Sequence, residues 1–219
     1  MVIVVSILLA FGIDTWWAGT QERHLAATYV SRVERDVLLD IARWRDESAA
    51  MVQKQASLDR ALAWLRSPDF ADAAVRDFLE DLTSGAQRSY GLGIVAERSA
   101  FDELISTGSF QLLGAELGEA VRGYHRSVDF SRARHIARET TYAARVYELT
   151  PRAPDSDASV RTDLTAGDRE RIARRALVAA LEGPLVAERN LSQLREALFE
   201  NLLDEAATLL DLVRVRDAF

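Results

Sequence analysis

The chain has 219 residues and a formal net charge of -7, from 34 acidic and 27 basic side chains. This acidic balance argues against non-specific nucleic-acid binding, which needs a basic surface that displaces counterions from phosphates. Cysteine is absent, which excludes disulfides, thiolate metal sites and a cysteine nucleophile. The length suits one domain with an anchor, or two small domains.

The first predicted element is a membrane anchor over residues 1–19. Residues 2–13 carry no charged side chain. A helix counted to Ala18 would span roughly 27 Å, close to the ~30 Å hydrocarbon core of a bilayer. Tryptophans at the end of an apolar run are typical of the membrane interface, where an acidic side chain costs little free energy. We expect six side chains in the membrane or at its interface: Ile3, Leu8, Phe11, Asp14, Trp16 and Trp17.

Two other interpretations of this segment stay open. One is a cleaved signal peptide, although no basic residue precedes the apolar run and residues 16–19 make a poor cleavage site. The other is a buried core helix, although the run is apolar on every face.

The expected location is the bacterial inner membrane. Lys54 is the only lysine among the basic residues, a bias that we attribute to a GC-rich bacterial genome. A short N-terminus followed by a large domain favours a single-pass protein with most of the chain in the periplasm.

The anchor is predicted to continue into a long helix, because residues 20–67 contain neither proline nor glycine. Apolar side chains recur along it at steps of three, four or seven, while pairs such as Arg32–Asp36 and Arg43–Glu47 have the i,i+4 spacing of a solvated, salt-bridged face. Ser67 is predicted to cap a second helix that starts at Pro68 and ends near Gly85.

Further helices are predicted in the second half of the chain. A short one starts at Ser99, and longer ones cover about 115–149, 168–181 and 185–216. Residues 151–165 are rich in proline, aspartate and serine and indicate an exposed linker. The sequence therefore predicts an all-α protein in which the transmembrane helix continues into a bundle of three to four long helices. Residues 20–150 would form the stalk and bundle, and 166–219 would pack on it.

Chemical motifs are scarce in this sequence. The three histidines, His24, His125 and His135, do not have the four-residue spacing of metal ligands on one helix face. His135 falls on an apolar stripe and is expected to be a hydrogen-bonded core residue. We therefore expect no catalytic residue, no cofactor and no metal site.

The best candidate for partner contact is the segment from Phe101 to Phe110. It places polar residues between apolar ones, and four side chains are expected to contact a partner: Glu103, Ser106, Thr107 and Phe110. In the alternative, Ser106 and Thr107 only satisfy the ends of short helices, and Leu104, Ile105 and Phe110 fill the bundle.

Two blocks carry a family resemblance. The first is ILLAFGIDTWWAGTQERHLAATYVSRVERDVLLDIARW, residues 7–44, and the second is SAFDELISTGSFQLLGAELGEAVRGY, residues 99–124. Together they resemble a family of uncharacterised bacterial single-pass membrane proteins with a helical extracytoplasmic domain. The chain departs from that pattern at Tyr124-His125, where the family has a tyrosine pair. The resemblance implies an anchor and a helical domain, with no established activity.

These features favour a non-enzymatic, membrane-anchored subunit that scaffolds or stabilises a larger membrane complex, such as a respiratory or photosynthetic one. Its partners would be membrane lipid and other subunits of the complex, and a homo-oligomer stays open. The alternative is a sensory or small-ligand-binding ectodomain, because anchored helical bundles can bind small molecules between their helices. An enzyme would need a cluster of titratable groups that the sequence does not reveal.

Overall fold

The computed structural model describes the backbone of residues 2–90, 94–136, 141–150 and 164–217, and the side chains of 12–86, 94–134, 141–150 and 164–216. Over these ranges the regular structure is helical and contains no strand, which confirms the predicted all-α class. The elements are α1 (Val2–Arg66), α2 (Asp72–Tyr90), α3 (Ser99–Ser106), a short 3-10 helix (Ser109–Leu113), α4 (Ala115–Ile136), α5 (Tyr142–Leu149), α6 (Ala166–Val178) and α7 (Glu182–Asp217).

The predicted continuity of the first helix is confirmed. Helix α1 runs over 65 residues from Val2 to Arg66. It ends before Pro68, because proline has no backbone N–H to continue the helical hydrogen bonds. The amide of Ser67 still donates to the carbonyl of Ala63, at 3.1 Å.

The predicted start of α2 is wrong. Because the amide of Ser67 is bonded to α1, this residue closes the first helix and does not cap the second. Asp69 instead accepts a hydrogen bond from the amide of Ala71 at 2.9 Å, and the helix begins at Asp72. It also runs past the predicted end at Gly85, to Tyr90.

Two more predicted boundaries are wrong, and the described residues form seven α-helices, one more than the six predicted along the chain. The predicted helix over 115–149 is two helices, α4 and α5, and residues 137–140 between them lie outside the described part. Gly183 and Pro184 belong to the first turn of α7, where proline is tolerated because that turn has no intrahelical acceptor for its N–H. Helix α6 begins after Thr165, which forms a reciprocal capping box with Asp168.

The chain divides into two compact units. The first comprises Met1–Arg43, Val95–Asp129 and Leu202–Phe219, and the second comprises Trp44–Ile94 and Phe130–Asn201. Helices α1, α4 and α7 therefore contribute residues to both.

The core of the first unit follows the predicted stripe of α1. Its buried side chains there are Tyr29, Val30, Val33, Val37 and Ile41. Leu25, which the same spacing placed on the stripe, is 49% exposed. The other helices of this unit add Leu104, Leu113, Leu117, Val121, Val128, Leu202, Ala206, Leu209 and Val213.

The core of the second unit is richer in aromatic rings. Trp64 stacks on Phe78 with centroids 3.9 Å apart, and Trp44 stacks on Phe199 at 5.9 Å. Tyr142 is fully buried, and its hydroxyl donates to the carbonyl of Leu82 at 2.7 Å. That bond holds the ring against the α2 backbone at Gly85, where a Cβ would lie 2.9 Å from the tyrosine oxygen.

Candidate functional site

Three polar side chains of the first unit, two of them buried, hold the chain as it enters α3. Three residues of α1 at spacings of four and three, Asp36, Asp40 and Arg43, bond to the segment 95–100. Such spacing puts them on one face of the helix, next to the apolar stripe. We call this set the α1 clamp.

Asp36 of α1 caps the N-terminus of α3. The residue before α3, Arg98, makes no capping bond with its side chain. Asp36 accepts hydrogen bonds from the amide of Ala100 and the hydroxyl of Ser99, both at 2.9 Å. A carboxylate from another helix thus satisfies an amide that has no intrahelical acceptor. The prediction that Asp36 pairs with Arg32 on a solvated face is wrong, since Asp36 is 4% exposed and Arg32 pairs with Glu103.

Asp40 is fully buried and bonded on both oxygens. It accepts from the amide of Glu97 at 2.7 Å and from the hydroxyl of Tyr124 at 2.9 Å. Burial raises the pKa of this carboxyl to about 6, although the two hydrogen bonds and the Arg43 charge oppose the shift. Arg43 completes the clamp by donating to the carbonyl of Val95.

His125 lies beside this acidic pair. Its ring packs on Phe101 with centroids 4.0 Å apart and meets Tyr124 edge-on at 5.4 Å. Burial, and then the charge of Arg98, lower the pKa of His125 to about 4, so the imidazole is neutral at pH 7. Its Nδ1 is buried and has no hydrogen-bond partner in the described part of the chain.

The predicted contact residues surround the other end of α3, and three of them make local contacts. Glu103 pairs with Arg32 at 2.6 Å and accepts from the hydroxyl of Tyr29 at 3.2 Å; Arg32 above all holds the pKa of Glu103 below its usual value. The hydroxyls of Ser106 and Thr107 donate to the carbonyl of Glu103 at 3.0 and 2.7 Å. These bonds satisfy the end of the helix, and both hydroxyl residues are exposed.

Phe110 lies on an open groove of about 790 Å³ in the first unit. It meets Phe101 edge-on at 5.7 Å, and the guanidinium of Arg122 lies over its ring, 4.2 Å from the centroid. Leu104 is fully buried below the groove, whereas Ile105 is 56% exposed at its edge.

The N-terminal part of α1 is the second predicted site. Trp16 and Trp17 are 64% and 58% exposed, and Asp14 is also exposed. The side chains of Ile3, Leu8 and Phe11 lie outside the described ones. Within the part of the chain that is described, no helix offers an apolar stretch long enough to cross a membrane.

Sequence reasoning missed a buried ionic group in the second unit. Lys54 and Glu188 form a salt bridge with 0% and 1% of their side chains exposed, and Arg195 lies 3.9 Å from the same carboxylate. A signal was present, because Lys54 falls three residues after Met51 and four before Leu58, on the buried face of α1. The same signal marks Asp36 and Asp40, which follow Val33 at three and seven residues.

The described residues do not form a metal-binding site. Over the described residues, no three histidine or carboxylate side chains come close enough together to hold an ion. His135 has a side chain outside this part. No protein family, curated protein or solved structure matches the chain.

Proposed function

We propose that this protein is a non-enzymatic, single-pass membrane subunit whose helical units support a larger membrane assembly. The observation that carries the proposal is a pair of exposed tryptophans after an uncharged run, on a helix that continues without a break to Arg66. Their ring centroids are 6.5 Å apart, and Ile13 beside them is 60% exposed. Exposed apolar groups of this kind mark membrane or protein contacts.

The hydrogen bonds of the buried polar groups favour a supporting role over catalysis, because these groups are already bonded within the protein. Asp40, whose pKa is strongly raised, has each carboxylate oxygen bonded to the protein, and the cavity beside it measures about 10 Å³. That volume has no room for a substrate.

Carbonate extraction of native membranes tests the anchor. Wild type should stay in the membrane pellet, and Leu8→Arg should appear in the soluble fraction, because a charge within the apolar run costs several kcal/mol in the bilayer. Leu25→Arg is the matched control, since Leu25 is an exposed leucine on the same helix beyond the tryptophans. Extraction of the wild type, or retention of Leu8→Arg in the pellet, would contradict the anchor.

We place the helical units on the periplasmic side of a bacterial inner membrane, as in the family that the two sequence blocks resemble. The absence of cysteine makes this simple to test with Ser106→Cys, because Ser106 is exposed. A membrane-impermeant maleimide should label this variant in intact spheroplasts. Labelling only after lysis would reverse the orientation.

The partner surface in this proposal is the edge of the groove at the end of α3. Ile105 leaves more than half of its side chain in solvent, beside Phe110 and two exposed hydroxyls. Exposed aliphatic and aromatic groups at a groove are typical of protein contacts.

Mild detergent extraction tests this surface. Subunits that co-purify with the wild type should be lost with Ile105→Asp and kept with Val178→Asp, which alters a more exposed residue of the second unit, 87% accessible. Equal co-purification with both variants would contradict the assignment of the surface.

A further inference from the structure

We propose that the first unit binds one structural water molecule at Nδ1 of His125, between α4 and the α1 clamp. The inference is independent of the membrane function. It rests on a cavity, on the polar groups that line it, and on one buried nitrogen to which no described residue gives a hydrogen bond.

The cavity is small and closed in by both polar and apolar residues. Its volume is about 10 Å³, close to the smallest space that holds a single water. Val33, Val37, Val121 and Leu209 line its apolar side, and His125 lines it among the polar residues.

The polar lining can hold a water. The residues concerned are Asp36, Asp40, Glu97, Tyr124 and His125. A buried water needs two to four polar partners. Asp36 accepts bonds from Ser99, Ala100 and Arg35, and Asp40 accepts bonds from Glu97 and from Tyr124 of α4. A carboxylate has about four lone-pair sites, so each of the two keeps capacity for a further donor.

His125 supplies the reason why the site should be occupied. The side chain is 6% exposed, and its Nδ1 finds no partner among the described residues. A buried polar atom without a hydrogen bond is costly, whereas a trapped water provides the bond at a small entropic cost. A metal ion is disfavoured, because no three suitable side chains come together in the described part. Water is the occupant that fits both the volume and the chemistry.

The water would join α4 to α1. It can accept from Nδ1–H, or donate to Nδ1, and in either case it can donate to a carboxylate of the clamp. Neutral histidine allows both tautomers, so the water would select one of them.

A crystal structure of the full chain in detergent, with 17O magnetic relaxation dispersion in solution, tests the site. We expect a density peak within about 3 Å of Nδ1. Wild type should show one more long-lived water than His125→Phe, whose ring needs no hydrogen bond and can keep the stacking on Phe101. A dry site in the wild-type crystal, or equal numbers of long-lived waters, would overturn the proposal.

A filling variant provides a second measurement if His125→Phe folds poorly. Val121→Ile adds one methyl group at the cavity wall and should expel the water. We expect the loss of one long-lived water from Val121→Ile and a fall in its urea midpoint. The same change in the His125→Phe background should lower the midpoint less, because no nitrogen is then left unpaired. Equal effects in both backgrounds would count against a bound water.

Discussion

At the scale of single residues, Asp40 and His125 show one physical cause acting on two kinds of charge. Burial favours the neutral form of each, so the pKa of Asp40 rises to about 6 and that of His125 falls to about 4. The folded state therefore holds a proton on Asp40 more tightly than the unfolded chain does, and holds one on His125 less tightly.

The two shifts act on stability in opposite directions over the same range of pH. The contribution of Asp40 is largest at low pH and is lost as the pH rises from about 4 to 6. The contribution of His125 is present above pH 6.5 and is lost as the pH falls towards 4. Because the two pKa values move by similar amounts in opposite directions, the two slopes largely cancel in the wild type.

Single variants should reveal the pH dependence of the free energy of unfolding that each residue contributes. With Asp40→Asn, the free energy of unfolding should rise with pH between 4 and 6.5, relative to the wild type. With His125→Phe it should fall with pH between 4 and 6. Urea unfolding curves at several pH values measure both, and parallel profiles for all three proteins would refute the opposed contributions.

The buried salt bridge of the second unit gives an asymmetric prediction. Glu188→Gln leaves the cations of Lys54 and Arg195 facing each other without the carboxylate, and should destabilise the protein by about 3–5 kcal/mol. Lys54→Met should cost less, because Glu188 still faces Arg195. The control is Glu182→Gln in the exposed pair with Arg66, where both side chains are more than half accessible, and it should change stability by under about 1 kcal/mol. Chemical denaturation measures the loss of stability in each of the three variants, which should be largest for Glu188→Gln and smallest for Glu182→Gln.

At the scale of elements, periodicity predicted the long helices well and their ends poorly. Helix α1 was predictable because residues 20–67 lack helix breakers and keep one apolar stripe. The division between α4 and α5 was not, because Tyr124, Val128, Tyr142 and Val146 keep a helical spacing across it. The cap of α3 could not be predicted either, since its acceptor, Asp36, is 64 residues away from Ala100.

Two glycines on helices make a matched test of packing. A Cβ at Gly85 would lie 2.9 Å from the hydroxyl of Tyr142 and 3.0 Å from Leu58, whereas one at Gly123 meets nothing within 4 Å. Gly85→Ala should therefore destabilise the protein by about 1–3 kcal/mol through overpacking, because the tyrosine is fixed by its bond to Leu82. Gly123→Ala should stabilise it by up to about 1 kcal/mol through helix propensity. Thermal unfolding distinguishes the two, and equal shifts would contradict the close contact.

At the scale of the whole molecule, the folded core and the proposed anchor occupy separate parts of the sequence. The first buried side chain in the described part is Tyr29. The position of the two tryptophans outside the folded core was predictable from the sequence. The contacts of the α1 clamp were not, because the segment 95–100 that Asp36 and Asp40 hold lies far from them in the sequence, although their spacing from Val33 marks both as buried.

Removal of residues 2–19 tests this separation. The truncated protein should keep its free energy of unfolding within about 0.5 kcal/mol, because no described buried side chain is lost. It should also fail to float with lipid vesicles, while the full chain floats. A longer truncation through Val33 is the control, and should destabilise the first unit because Tyr29, Val30 and Val33 are all buried.

The buried position of the only lysine has a practical consequence for reading the state of the second unit. An amine-reactive ester such as an N-hydroxysuccinimide reagent can modify a side-chain amine of this chain only at Lys54, and that amine is sealed from solvent. Acylation of Lys54, followed by mass spectrometry, should therefore proceed at the rate at which the surrounding helices open. Rapid modification of the folded protein at neutral pH would show that the residue is accessible. Acylation of this single lysine therefore reports how often the core of the second unit opens.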